Sequence, residues 1–262
     1  LKALVKLGGT LLDAPESRAR LASELAAAAS EGVELVVVHG GGKQMTRYLA
    51  ERGIESRFVN GLRVTTPETI DAVLKVFAGS VNHELVSALV AAGAQAVGLS
   101  GIDACLAEAE PLDPALGAVG RVTRVDPALL QLLTGSGYVP VVACVAGDRQ
   151  GRVYNVNADQ MAVACAAAFG AGMLLFLTDV QGVMNAEREV IPELTASECD
   201  GLIAQGIATG GMQAKLHAAS EAVRRGIGRV SIAPGAVSGV IRQALDNQSV
   251  GTSLVLGAVQ DA

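Results

Sequence analysis

A chain of 262 residues is long enough to bury a sizeable core, as one large α/β domain or as two lobes. Half of it is hydrophobic, only 3% is aromatic and Trp is absent, so that core must be built from Ala, Val and Leu. A net charge of −6 argues against a nucleic-acid or anionic-membrane partner, since both need clustered Lys and Arg, and points to small molecules instead.

Residues 1–7, LKALVKL, predict a short strand in which Lys6 breaks the apolar pattern just before Gly8-Gly9. Open α/β sheets place ligands at such carboxyl ends, although a lysine snorkelling to the surface explains the same residue. A crossover helix is expected over 13–31, with Pro15 early and Gly32 at its end. Residues 33–39 form the next strand, and its run Val36-Val37-Val38 lacks alternation, as suits a parallel strand covered on both faces.

That strand leads through His39 into Gly40, Gly41 and Gly42 and then into a helical stretch, KQMTRYLAER. Glycine amides can approach an anion closely at the positive end of a helix dipole, so the segment predicts a site for phosphoryl oxygens. A tight turn uses the same residues. The familiar nucleotide signatures are missing: a P-loop ending at Gly42-Lys43 needs glycine at Val37 and Ser or Thr at Gln44, and no GxGxxG follows a strand.

Asn60-Gly61 in FVNGLRV signals a hairpin over 58–64 and puts Arg63 near the start of the returning strand. The planar fork of Arg63 can clamp a carboxylate; a solvated hairpin arginine is the alternative. Thr66-Pro67-Glu68 opens a long helix to about Gly93, a candidate subunit interface that Gly79 could bend. A strand at 94–99, β-hairpin excursions over 104–125, a helix from Asp126-Pro127 and a strand at 138–145 follow.

In YNVNADQ, Asn155, Asn157 and Asp159 alternate with small residues at the opening of a helix. Capping explains one of the three, so the cluster predicts a polar site. Residues 160–178 carry no charge and could span a bilayer by length, but Gly170-Ala171-Gly172 divides them into an Ala-rich helix and a buried strand at 173–178. That strand ends in a further junction, Asp179 to Val183. A short helix is expected from Thr195, and Gly210-Gly211 open another whose first turn would hold Lys215, so that amides and an ammonium converge on phosphates. A strand at 229–233, a helix at 238–247 and a closing strand after Gly251-Thr252 complete the reading.

Cys105, Cys144, Cys165 and Cys199 have no CxxC spacing, and His39, His83 and His217 are isolated. This predicts reduced core cysteines in a cytosolic protein and no metal site built by the protein itself. Nothing at the start suggests export. Glycine-rich turns and lysines at strand ends, without a His-Ser pair, paired carboxylates or a reactive Cys, suit phosphoryl transfer, which relies on positioning and charge neutralisation.

The stretches VKLGG, VVVHGGGK, FVNGLRVT, AVGLSG, GYVPVVA, YNVNADQ, LTDVQGV, ELT and GGMQAK resemble, in order and spacing, the motifs of the amino acid kinase family over essentially the whole chain. FVNGLRVT with NVNADQ resembles in particular the members that phosphorylate N-acetyl-L-glutamate. The resemblance implies an open, mainly parallel eight-stranded α/β sheet sandwiched between helices, in one domain whose lobe 1–170 holds the acyl-amino acid and the subunit interface and whose lobe 171–262 holds ATP. It implies transfer of the ATP γ-phosphoryl group to the side-chain carboxylate of N-acetylglutamate, for arginine biosynthesis, with Mg²⁺ carried on the nucleotide.

By motif match, Lys6 and Lys215 would stabilise the transferring group and Asp159 would orient them. Gly8, Gly9, Gly40, Gly210 and Gly211 would hold phosphoryl oxygens, and Gly41, Gly42, Arg63 and Asn155 the acceptor. Asp179, Val180, Gly182, Val183 and Met184, with Ile207, Ala208 and Thr209, would line the nucleotide site. The acceptor carboxylate, with a pKa of about 4.3, needs no general base; what must be overcome is repulsion between two anions.

One departure from the family pattern is Ile102-Asp103-Ala104 after Ser100-Gly101, which bears on loop shape and not on chemistry. Arginine-inhibited members carry an N-terminal helix that links dimers into hexamers, whereas only five residues precede Lys6 here, so the expectation is a homodimer insensitive to arginine. The rival readings are a kinase for carrier-protein-linked aminoadipate or glutamate, and a non-catalytic nucleotide or amino-acid sensor on the same fold.

Overall fold

In the computed structural model, which describes residues 1–59 and 61–256, the unalternating apolar runs are the inner strands of one sheet. Strands β1 (Lys2–Leu7) and β2 (Glu34–His39) lie parallel, linked by helix α1 (Pro15–Ser30), and every residue after the first in each strand is buried. Helix α2 (Gly42–Ala50) follows the glycine run. Strands β3 (Phe58–Val59) and β4 (Leu62–Arg63) pair antiparallel as a short hairpin. Asn60, half of the hairpin signal, lies outside the described residues.

The long helix expected from Thr66 does begin there, with the Thr66 hydroxyl accepting from the Thr69 amide at 3.3 Å. It is not one α-helix. Between α3 (Pro67–Val73) and α4 (Asn82–Ala91) the segment Leu74–Val81 is π-helical, so the bend expected at Gly79 is a widened turn. Among the described residues this is the one helical stretch long and apolar enough to cross a bilayer. Val73, Val76, Phe77, Val81, Leu85 and Leu89 on it are core residues.

Strand β5 (Ala96–Ser100) joins the sheet; β6 (Ala107–Pro111) and β7 (Val119–Val125) form the hairpin expected within 104–125. After α5 (Ala128–Gly135), the strand expected at 138–145 is interrupted at Cys144. Strand β8 (Val139–Ala143) stays in the main sheet, while β9 (Val145–Gly147) leaves it. With β10 (Val153–Val156), β9, β6 and β7 close a small barrel. Cys105, expected in the core, is exposed in the loop that enters this barrel, whereas Cys144, Cys165 and Cys199 are buried; all four are free thiols.

Residues 160–178 resolve into α6 (Ala158–Phe169) and β11 (Met173–Thr178), both packed on β1. The rest is β12 (Glu193–Thr195), α7 (Ala196–Ala204), α8 (Gly210–Arg224), β13 (Arg229–Pro234), α9 (Val240–Leu245) and β14 (Thr252–Val255). Thr195 and Glu198 make a reciprocal capping box at the start of α7.

The eight strands run in the order β12-β14-β13-β11-β1-β2-β8-β5, parallel throughout except for the β13–β14 pair. Strand β1 has β2 on one side and β11 on the other, so the order of the sheet reverses there. A crevice opens outside the carboxyl ends at such a reversal, and the loops after β1, β2 and β11 border it.

Candidate active site

Lys6 sits next to last in β1, in the centre of the sheet, with Asp159 in the first turn of α6 facing it across a 2.7 Å ion pair. Both side chains are 7% exposed. The other carboxylate oxygen of Asp159 lies 3.7 Å from the ammonium of Lys215. Asn157 caps α6, accepting from the amides of Asp159 at 2.9 Å and Gln160 at 3.2 Å, and so fixes the turn that carries the carboxylate. Burial alone would raise the Asp159 pKa; the two ammonium groups outweigh it and hold the group below the usual carboxylate range. One anion therefore holds two cations at a strand end. Lys215 is the sixth residue of α8 and not in its first turn, as the sequence had suggested; it projects from the second.

The glycine loops come together around this array. A cleft of about 700 Å³ is lined by Lys6, Gly8, Gly9, Gly42, Asp179 and Lys215, among others, a volume suited to a small-molecule ligand. A smaller cavity of about 220 Å³ shares Lys6, Gly9, Gly42 and Arg63 with it and adds Gly40, Gly41, Asn155 and Asp159. Gln44 ties the two loops by donating to the Gly9 carbonyl at 3.1 Å.

Arg63 is buried and donates to the Gly42 carbonyl at 3.1 Å, to Thr46 Oγ1 at 2.8 Å and to Ser56 Oγ, with its guanidinium over the Phe58 ring. It is therefore no solvated hairpin residue. Burial lowers its pKa, yet a guanidinium remains cationic at any working pH. Asn155, which lines the same small cavity, donates to Thr65 Oγ1 at 3.1 Å.

Of the residues expected around the nucleotide, Asp179 lines the large cleft. Val183 and Ala208 are buried, with the Val183 amide donating to Thr252 Oγ1 at 2.8 Å, while Met184 and Ile207 expose apolar side chains. Gly182 and Gly210 adopt positive φ, 155° and 53°. Gly210 and Gly211 begin α8, and Gly210 lines a separate groove beside the hairpin. Val180 and Thr209 flank these turns and do not line the cleft described above.

Several cleft residues were not singled out by sequence. Thr10, Asp13, Lys43, Thr46 and Arg47 line the large cleft. Lys43 was legible as a cation directly after the glycine run, but it matched no P-loop; Thr46 and Arg47 follow from it by one helical turn. Asp13 and Arg47 pair across the cleft rim at 2.9 Å.

A buried and a partly exposed ammonium held by one carboxylate beside two glycine loops are suited to neutralising the charge of a phosphoryl group passing between anions. The profile of the amino acid kinase family matches residues 2–234. The chain is 67% identical over 255 residues to an acetylglutamate kinase of Solibacter usitatus, covering 97% of this chain and 99% of that one. It is 46% identical over 229 residues to an acetylglutamate kinase of Rubrobacter xylanophilus, covering 87% and 89%. Among solved structures it superposes, at a TM-score of 0.87 and 25% identity, on an N-acetylglutamate synthase of Neisseria gonorrhoeae complexed with coenzyme A and N-acetyl-glutamate, covering 98% of this chain but 60% of that one.

Proposed function

We infer the reaction from the premise that this chain belongs to the amino acid kinase family. It transfers the γ-phosphoryl group of ATP to the side-chain carboxylate of N-acetyl-L-glutamate, giving the 5-acyl phosphate of arginine biosynthesis. The observation that carries this reading is the Lys6–Asp159–Lys215 array at the reversal of the sheet, together with the two acetylglutamate kinases reported above.

The acceptor carboxylate is ionised at neutral pH and attacks phosphorus directly; the bond from the γ-phosphorus to the bridging oxygen breaks, and ADP keeps the electron pair. Lys6 and Lys215 stand where charge accumulates on the transferring oxygens, and Asp159 keeps both ammonium groups in place. Amides of the loops at Gly8-Gly9 and Gly40 to Gly42 donate to phosphoryl oxygens and acceptor, joined by those of Gly210-Gly211. Mg²⁺ carried on the nucleotide would supply further charge neutralisation. The lobe 1–170 holds the acceptor and the lobe 171–262, with Asp179 to Met184 and Ile207 to Thr209, the nucleotide.

Arg63 and Asn155, which both line the small cavity, take the acceptor's α-carboxylate. Arg63→Ala is expected to raise KM for N-acetylglutamate about tenfold or more, with a smaller change in KM for ATP, because a charge-assisted bidentate contact is lost. Equal changes for both substrates would remove Arg63 from the acceptor site.

Two copies associate through the helix Pro67–Ala91, where Leu74 and Val90 are exposed, and through β5, the edge of the sheet. Sedimentation equilibrium should return twice the 26.5 kDa chain mass, and a monomer at micromolar concentration would contradict it. Three buried free thiols agree with a cytosolic setting.

The reaction is tested by trapping acyl phosphate as the hydroxamate with N-acetyl-L-glutamate, L-glutamate, L-aspartate and N-acetyl-aminoadipate side by side. Turnover confined to the first supports it. Silence with all four from folded protein overturns it.

A further inference from the structure

Behind the glycine loop lies a fully buried polar pair that the mechanism above does not use. His39, the last residue of β2, and Asn82, the first of α4, are both 0% exposed and meet at 2.9 Å, the Asn82 Nδ2 against the His39 Nε2. The same Nδ2 donates to the Val141 carbonyl at 2.9 Å. The other ring nitrogen, Nδ1, is 2.8 Å from the carbonyl of Gly40.

We propose that His39 is a positioning residue whose tautomer, set by Asn82, orients the Gly40–Gly41 peptide so that the Gly41 amide faces the site. Four steps lead there. A carbonyl only accepts, so the Val141 contact fixes which end of the Asn82 amide points at it, and that end is the donor. The second proton of Nδ2 then goes to Nε2 of His39 at 2.9 Å, nearer than the Leu99 carbonyl at 3.4 Å, and Nε2 is therefore the unprotonated nitrogen. The proton of the neutral ring is therefore on Nδ1, and Nδ1–H donates to the Gly40 carbonyl. In a trans peptide the C=O and N–H point in opposite directions, so a Gly40 carbonyl held toward the core sends the Gly41 N–H outward. Outward is the small cavity lined by Gly40, Gly41, Lys6, Arg63 and Asp159. Among the described residues no protein acceptor takes the Gly41 amide, which leaves it for a ligand.

Two glycines in a row offer no side chain to resist a flip of the peptide between them. A flip would turn a carbonyl oxygen toward the anion. The pair is also built in from outside. A Cβ on Gly98 would lie 2.1 Å from Asn82 Oδ1, so β5 must have glycine there for Asn82 to reach His39. A Cβ on Gly41 would lie 2.8 Å from the Phe77 ring, which packs the π-helical segment directly on the loop. The ring stays neutral in this setting: burial, with a smaller repulsion from Lys6 and despite the Gly40 contact, lowers the His39 pKa to about 4.

The inference rests on the proposed phosphoryl transfer for its kinetic readout, but not for its structural one. An asparagine amide nitrogen falls near the place of His Nδ1, and a glutamine amide nitrogen near that of Nε2. His39→Asn keeps a donor for Gly40, while His39→Gln keeps only the reach toward Asn82. The expected result is a kcat for H39Q about tenfold below that of H39N, with KM for ATP shared, as for weakened placement of one amide donor. Equal kcat values in two variants of equal thermal midpoint would overturn the assignment. The ¹⁵N spectrum of the parent protein, read without turnover, decides independently of how the variants fold: a protonated Nδ1 and a bare Nε2 on His39 support it, and the opposite tautomer overturns it. A parent that shows the Nδ1–H tautomer but makes no hydroxamate would sink the reaction and leave the orientation of the peptide standing.

Discussion

Lys215→Ala is expected to lower turnover about 100-fold or more while leaving the thermal midpoint near that of the parent, whereas Lys6→Ala should lose as much turnover and also unfold more easily. The shared loss follows from the proposed roles: each ammonium would offset charge that builds up on the transferring oxygens. The difference in stability follows from burial. Lys6 is 7% exposed and 2.7 Å from a carboxylate equally buried, so deleting it strands most of the charge of Asp159. Removing one partner of a buried pair costs about 3–5 kcal/mol, and Lys215, still 3.7 Å away, should keep this case near the lower end. Lys215 has 17% of its side chain exposed and a longer contact, so its loss disturbs the fold less. Hydroxamate formation and thermal unfolding measured on the same preparations separate the two. Parent-like turnover in either variant would remove that lysine from the chemistry.

The array was legible in the sequence because its parts stand where periodicity breaks. Lys6 interrupts an apolar strand, Asp159 follows an asparagine that caps a helix, and Lys215 follows a glycine pair; each break is local and visible within ten residues. Their mutual distances were not legible. Nothing in the pattern of residues 1–7 says that β11 rather than another strand will lie beside β1; the resemblance to a family implied eight mainly parallel strands but not their order.

Two of the features missed are of this long-range kind, and a third is local. The break at Cys144 serves the barrel, whose strands come from 107–156, and a continuous apolar run cannot announce it. The π-helical turn at Leu74–Val81 keeps helical periodicity closely enough that only Gly79 hinted at it. His39 was read as an isolated structural histidine. Its partner Asn82 is 43 positions away, and only the fold shows that Gly98 makes room for their contact.

Asp159→Asn carries the charge argument furthest, because it leaves both lysines in place and takes away what holds them. Turnover should again fall about 100-fold, since two like charges lose their common anchor. The pH dependence distinguishes this from a simple loss of shape. That dependence is read in stability. In the parent the Asp159 carboxyl is held below its ordinary value against the opposing effect of burial, so the pair contributes its full stability above the unfolded pKa of about 3.9 and loses it as pH falls through the depressed folded value. An amide has no such titration. The gap in thermal midpoint between parent and D159N should therefore be widest near neutrality and close only in strong acid, below about pH 3.9, where the parent's own carboxyl takes up its proton. A gap that stayed constant from neutrality into that range would mean that Asp159 stabilises the fold through packing and not through the two ammonium groups.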